Sequence, residues 1–156
     1  MATPARRLIL DNVASVLATV SVANGYKTNV TTVARALVSW GEIGAAQMPW
    51  LGFAPVGQST PSYKPNDLIN VTMPLTIVGH VNSMSGATKT EELADLEDDL
   101  IAVINLDTTR GGNAIRTNWL GTQTDEGNPD SDDHRGGSGT LVMMWEILYQ
   151  RSAGST

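Results

Sequence analysis

Apolar residues recur at helical spacing in two stretches of this chain and alternate with polar ones in the stretches between and after them. In the first helical stretch, from about Ala5 to Val20, Ile9, Val13, Val16, Leu17 and Val20 form one stripe while Asp11, Asn12 and Ser15 face away. That pattern predicts an amphipathic helix packing through one face. Thr3-Pro4 suits its start, since proline is tolerated in the first turn, and Asn24-Gly25 accepts a left-handed backbone after its end. A sharp turn into Tyr26 follows.

From Thr28 to Trp40 the β-branched residues Thr28, Val30, Thr31, Thr32, Val33 and Val38 predict a half-buried strand, with Arg35 pointing to solvent or to a neighbour. Gly41 to Gln47 has loop composition, and Met48 to Val56 predicts a short strand. Pro55 to Pro65, with Gly57, Ser59, Pro61 and Ser62, predicts no regular element. Asp67 to Asn82 alternates over a length that suits the spine of a sheet, and Pro74, which lacks a ladder donor, is expected at an edge or a bulge.

The second helix is predicted from about Lys89 to Leu106, opened by a capping box of Thr88 and Glu91. Leu93, Leu96, Leu100, Val103 and Ile104 would be its buried stripe, and Glu91, Glu92, Asp95, Asp98 and Asp99 its acidic outer face. Two strands follow, at about Ala114 to Gln123 and Thr140 to Gln150. In the last, Leu141, Met143, Trp145, Ile147 and Tyr149 share one face and Val142, Met144, Glu146 and Leu148 the other. Both faces are largely apolar, which implies helices on one side and a partner chain on the other.

Together these elements predict an α+β fold: a mainly antiparallel twisted sheet with two helices packed on one face. The chain reads as one domain over residues 1–156, with an irregular excursion at about 41–66 and an acidic hairpin loop at about 124–139. At 156 residues, 41% hydrophobic and 17% charged, it is long and apolar enough to bury a core. The absence of cysteine removes disulfides, thiolate metal sites and Cys nucleophiles. The N-terminal stretch, with Asp11 and Asn12 breaking the apolar run, does not have the pattern of a signal peptide, and no window has the length of a membrane span.

A net charge of −6 disfavours a phosphate backbone as ligand, and Arg35, Arg110, Arg116 and Arg135 make a basic patch only if folding gathers them. The segment Asp125 to His134 holds Asp125, Glu126, Asp130, Asp132, Asp133 and His134, ligand types suited to a hard cation. It lacks the calcium-loop spacing, and a solvated hairpin tip explains it as simply. His80 sits among apolar residues as a structural or interface residue. No Ser, His and Asp grouping or phosphate-binding fingerprint is present, so no catalytic residue, cofactor or metal is assigned. Trp50, Phe53 and Tyr63 flank the irregular excursion and are candidates either for the core or for a subunit contact.

The succession of a helix leading into Val22-Ala23-Asn24-Gly25-Tyr26, the strand from Thr28, the long strand through Ile77 and Val81, the stretch Asp95-Leu96-Glu97-Asp98-Asp99-Leu100-Ile101-Ala102-Val103-Ile104 and a closing strand at Tyr149 resembles the tail terminator proteins of long-tailed bacteriophages. The resemblance spans nearly the whole chain, with departures at Gly41 to Pro65 and in the Asp-rich loop. It implies a non-enzymatic virion protein of the tail and neck region, assembled in the host cytoplasm. Such a subunit forms a homo-oligomeric ring, a hexamer, on the head-proximal end of the tail tube. Its partners would be the tail tube protein and a head-completion or connector protein, with no sequence-specific nucleic-acid or membrane contact. Contact surfaces are expected at Pro49 to Pro65 and Gly121 to Gly139, and so at Trp50, Phe53, Tyr63, Asp125, Asp130, Asp132, Asp133 and His134. A head-tail connector or other tail-completion subunit is the related alternative, and a cation- or small-ligand-binding module using the acidic loop is the alternative of another class.

Overall fold

A computed structural model of the chain describes residues 3–82, 86–125 and 139–154. Helix α1 (Ala5–Leu17) is followed by strands β1 (Thr32–Ala34), β2 (Trp50–Ala54), β3 (Thr60–Lys64) and β4 (Leu68–Val81), then helix α2 (Gly86–Asn105) and strands β5 (Arg116–Asp125) and β6 (Gly139–Ser152). The six strands make one sheet in the order β1-β2-β4-β6-β5, with β3 also paired to β4. Every pairing is antiparallel except β1 with β2. The fold is α+β.

Residue parity explains the layering. Leu51 and Phe53 of β2, Met73, Leu75 and Ile77 of β4 and the odd-numbered residues from Leu141 to Tyr149 of β6 share one buried cluster with Ile9, Val13 and Leu17 of α1 and Leu93, Leu96, Leu100, Val103 and Ile104 of α2. Because side chains alternate across a strand, one sheet face carries this core and both helices lie on it. At Gly79 the sheet leaves no room beneath α2: an added Cβ would sit 2.6 Å from Leu96 Cδ2.

Pro74 sits in the middle of β4, paired to Glu146 of β6 on one side. On the other side β3 pairs with 68–72 and β2 with 76–80, so Pro74 falls in the gap between them. The missing donor therefore removes no ladder bond there, and position 74 is a local edge inside a long strand.

Several boundaries differ from the sequence expectations, each because backbone partners lie elsewhere. α1 stops at Leu17, and Thr19 N–H and hydroxyl both bond back to the Val16 carbonyl, which tightens the exit before Val20. Gly25 takes the expected left-handed backbone (φ 92°), closing the short 3₁₀ turn Val22–Asn24 rather than the helix itself. Of the strand expected over Thr28 to Trp40 only Thr32–Ala34 forms, because Asp99 accepts the Lys27 and Thr28 N–H groups and the Val20 and Pro49 carbonyls accept those of Val30 and Thr31.

β3 was not expected. All five of its residues are exposed, so it has no apolar alternation to announce it. α2 is described from Gly86, which places Thr88 within the helix and not at the N-cap position expected for it. Asp99 is not on the outer face of α2: it is buried, with Oδ2 2.8 Å from Thr28 N and 3.0 Å from Lys27 N. Asp98, one residue earlier, faces outward and pairs with the Lys27 ammonium at 2.8 Å.

Candidate functional site

Among the described residues, the second face of the sheet is covered at one end only. There the segment 35–48 folds over β2 and β4, burying Trp40, Ile43 and Met48 against Trp50. Trp40 Nε1 donates to the Val81 carbonyl at 2.9 Å, and the His80 ring, 5.3 Å from the Trp50 ring, reaches the Val38 carbonyl through Nε2 at 2.7 Å. A carbonyl only accepts, so Nε2 carries the proton and Nδ1 accepts from the Thr140 hydroxyl at 3.0 Å. Burial pushes the imidazole pKa below its ordinary value, against the smaller raising effect of the Val38 bond. His80 is thus a structural residue.

This arrangement corrects two expected contact residues. Trp50 and Phe53 are buried within the single chain, Phe53 in the main core and Trp50 under the 35–48 segment. They lie on successive faces of β2, and each face is covered by the chain itself. Of the three aromatics at the excursion, Tyr63 remains on the surface, 76% exposed on β3.

Beyond the covered end, no described residue lies over the second face. Met144 is 44% exposed, and Val142, Glu146 and Leu148 of β6 are half-buried, with Asn118 Nδ2 3.3 Å from Glu146 Oε1. On the neighbouring edge strand β5 the register shifts between Trp119 and Gly121, leaving Leu120 as the extra residue. Leu120 is 60% and Trp119 44% exposed, and Trp119 Nε1 is held by the Thr122 hydroxyl at 3.0 Å. β6 pairs with the full length of β4, so β3 lies on the opposite edge of the sheet from β5.

Both edges carry devices against indiscriminate strand pairing. Pro61 removes a donor from β3, and the bulge at Leu120 disrupts the ladder of β5. Asp125 closes β5 opposite Thr140, while Asp130, Asp132, Asp133 and His134 lie outside the described residues. Among the described residues no group of three or more His, Asp or Glu side chains is placed to hold a metal ion. No helix of the described residues is long and apolar enough to cross a membrane.

Of the arginines considered for a basic patch, Arg110 and Arg35 are each taken up within the chain, and Arg135 lies outside the described residues. Arg110 is fully buried at the end of α2, where Nη2 donates to the Ile104 and Asp107 carbonyls, and Arg35 pairs with Asp11 of α1. A cation at a helix C-terminus meets the negative end of the dipole. The Asp107 carboxylate accepts from the Thr109 hydroxyl, the Gly111 N–H and the Thr109 N–H, which hold its pKa down at about 2. Arg110, Gly111 and Gly112 all have positive φ in this loop. The sequence reading missed this cap, although Asp-x-Thr before Arg-Gly-Gly is a turn signature of the Asx type.

No protein-family model matches the chain, and no curated protein matches it in sequence.

Proposed function

We propose that the chain is a ring-forming structural subunit of the tail terminator type, which caps the head-proximal end of a tail tube, ends its polymerisation and offers a surface for head attachment. The observation that carries this reading is the pair of unlike exposed patches on opposite edges of one sheet: Tyr63 on β3, and Trp119 with Leu120 on β5. A head-to-tail contact uses two different patches per subunit and closes into a ring when the rotation allows. The open sheet face around Met144 supplies a third surface for a tube or head partner. The resemblance in element order adds its weight, and the α+β fold agrees with it.

The test is solution mass by light scattering over a wide concentration range, with and without purified tail tubes. A closed hexamer of 16.6 kDa subunits has a mass of about 100 kDa. A ring of that order, or a cap on tube ends that stops their growth, is the expected result. A monomer at every concentration that also leaves tube ends growing would overturn the reading.

A further inference from the structure

A cavity of about 330 Å³ lies between the first half of α2, the segment 27–29 and the segment 45–49. That volume reaches the range of small-ligand sites, about 300–1,000 Å³. Its walls differ in kind. Met48, Pro49 and Val81 make an apolar side, and Glu92 and Asp95, one helical turn apart on α2, make an anionic one.

The chain offsets the anionic side only in part, since the Lys27 charge is felt by Asp95 but, among the described residues, Glu92 has no cation beside it. Lys27, also at the cavity, commits its ammonium to Asp98 at 2.8 Å. Among the described residues neither Glu92 nor Asp95 has a hydrogen-bond or ion-pair partner. Glu92 is half-buried, and that partial burial, then repulsion from Asp95, raise its pKa above the ordinary value.

We propose that this cavity binds an alkylguanidinium or alkylammonium group, its carbon stem along Met48, Pro49 and Val81 and its cationic head between Glu92 and Asp95. A bare hard cation fits poorly, because calcium takes six to eight oxygen ligands and one wall here is hydrocarbon. An anion is repelled. A long basic side chain has both parts the walls require, a stem that packs and a head that keeps its charge. The same chemistry is available from a free diamine or guanidine and from a second copy of this chain, whose Arg6 and Arg7 stand exposed on the first turn of α1. The inference rests on the cavity and not on the ring assignment.

Agmatine, a guanidinium on a four-carbon stem bearing a terminal amine, is the probe. Titrated into isotope-labelled protein at constant ionic strength, it is expected to give saturable amide shifts confined to residues 27–29, 48–49, 81–82 and 92–95. Glu92→Gln with Asp95→Asn is expected to weaken binding at least about tenfold, each lost charge contact accounting for part of that ratio. Absence of a saturable shift up to roughly 50 mM, or equal binding by the folded double variant, would overturn the proposal. Light scattering with and without saturating agmatine separates the sources. Dissociation of an oligomer assigns the group to a neighbouring copy, and unchanged mass with binding retained assigns it to a free ligand.

Discussion

His80 Nε2 lies 2.7 Å from the carbonyl oxygen of Val38, and with the Trp40 to Val81 bond it fastens the 35–48 segment onto the end of the sheet. The ring is held neutral, with its pKa below the ordinary 6.5. Below pH 6.5 the unfolded chain therefore binds more protons at this position than the folded one, and stability falls as the pH drops through that value. His80→Gln is expected to cost about 1–2 kcal/mol at pH 8, where the ring's bonds are intact. The gap between the two proteins in urea unfolding should narrow towards pH 5, and a gap of constant size would refute this account.

Asp99 and Asp98 make a contrasting pair on α2. Asp99→Ala leaves the Lys27 and Thr28 amides without their acceptor in a partly buried site, for an expected loss of about 1–2 kcal/mol. Asp98→Ala removes a surface ion pair and is expected to leave the unfolding midpoint unchanged within error. Denaturant titration of both variants checks the ranking, and similar losses would show that the Lys27 ammonium, not its backbone, is the anchor.

The Asp107 turn should be visible in acid. Its carboxylate is depressed to about 2 from an ordinary 3.8, so its contribution is complete above pH 3.8 and is lost as the pH falls through about 2. Asp107→Ala is expected to be less stable than the parent at pH 7 and to converge with it near pH 2. Thermal melts across that range measure the convergence.

Glu92 titrates in the opposite sense. Its raised pKa means that the charged form is disfavoured in the folded protein, so the fold loses stability as the pH rises through the folded pKa. Glu92→Gln is expected to melt higher than the parent at pH 7, with the advantage gone below pH 4.5. A lower melting temperature at pH 7 would mean that a cation already satisfies the carboxylate.

Two glycines on opposite faces differ in what an added methyl would meet. At Gly79 it meets the ends of side chains, Leu96 and Leu51, whereas at Gly52 it falls on backbone, the Ala36 carbonyl oxygen, and on the Trp50 ring. Gly79→Ala is expected to cost about 1 kcal/mol and Gly52→Ala about 3 kcal/mol. Only the second should increase proteolysis within 35–48.

Long amphipathic patterns carried the fold. The stripes of α1 and α2 and the alternation of β4 and β6 are visible because each element buries one face over many residues. β3 was invisible because none of its side chains is buried, and the brevity of β1 followed from Asp99, 71 positions away from Thr28, taking an N–H that a strand would have used. For the candidate surfaces the outcome was similar. An aromatic's type does not tell whether it will be covered: Trp50 disappears under a segment that has little regular structure, while Trp119 stays out beside a bulge. The cavity joins residues from three separate parts of the chain, and no local motif announces it.

The gap at Pro74 divides one edge of the sheet into two short flanking strands, and a single unbroken pair, β4 against β6, runs past both. A force applied between the β3 end and the β2 end passes along the covalent backbone of β4, which does not yield. The load therefore falls on two short seams of five residue pairs each, β3 on β4 and β2 on β4, and whichever slips first lets its end go while the long β4–β6 pair stays closed.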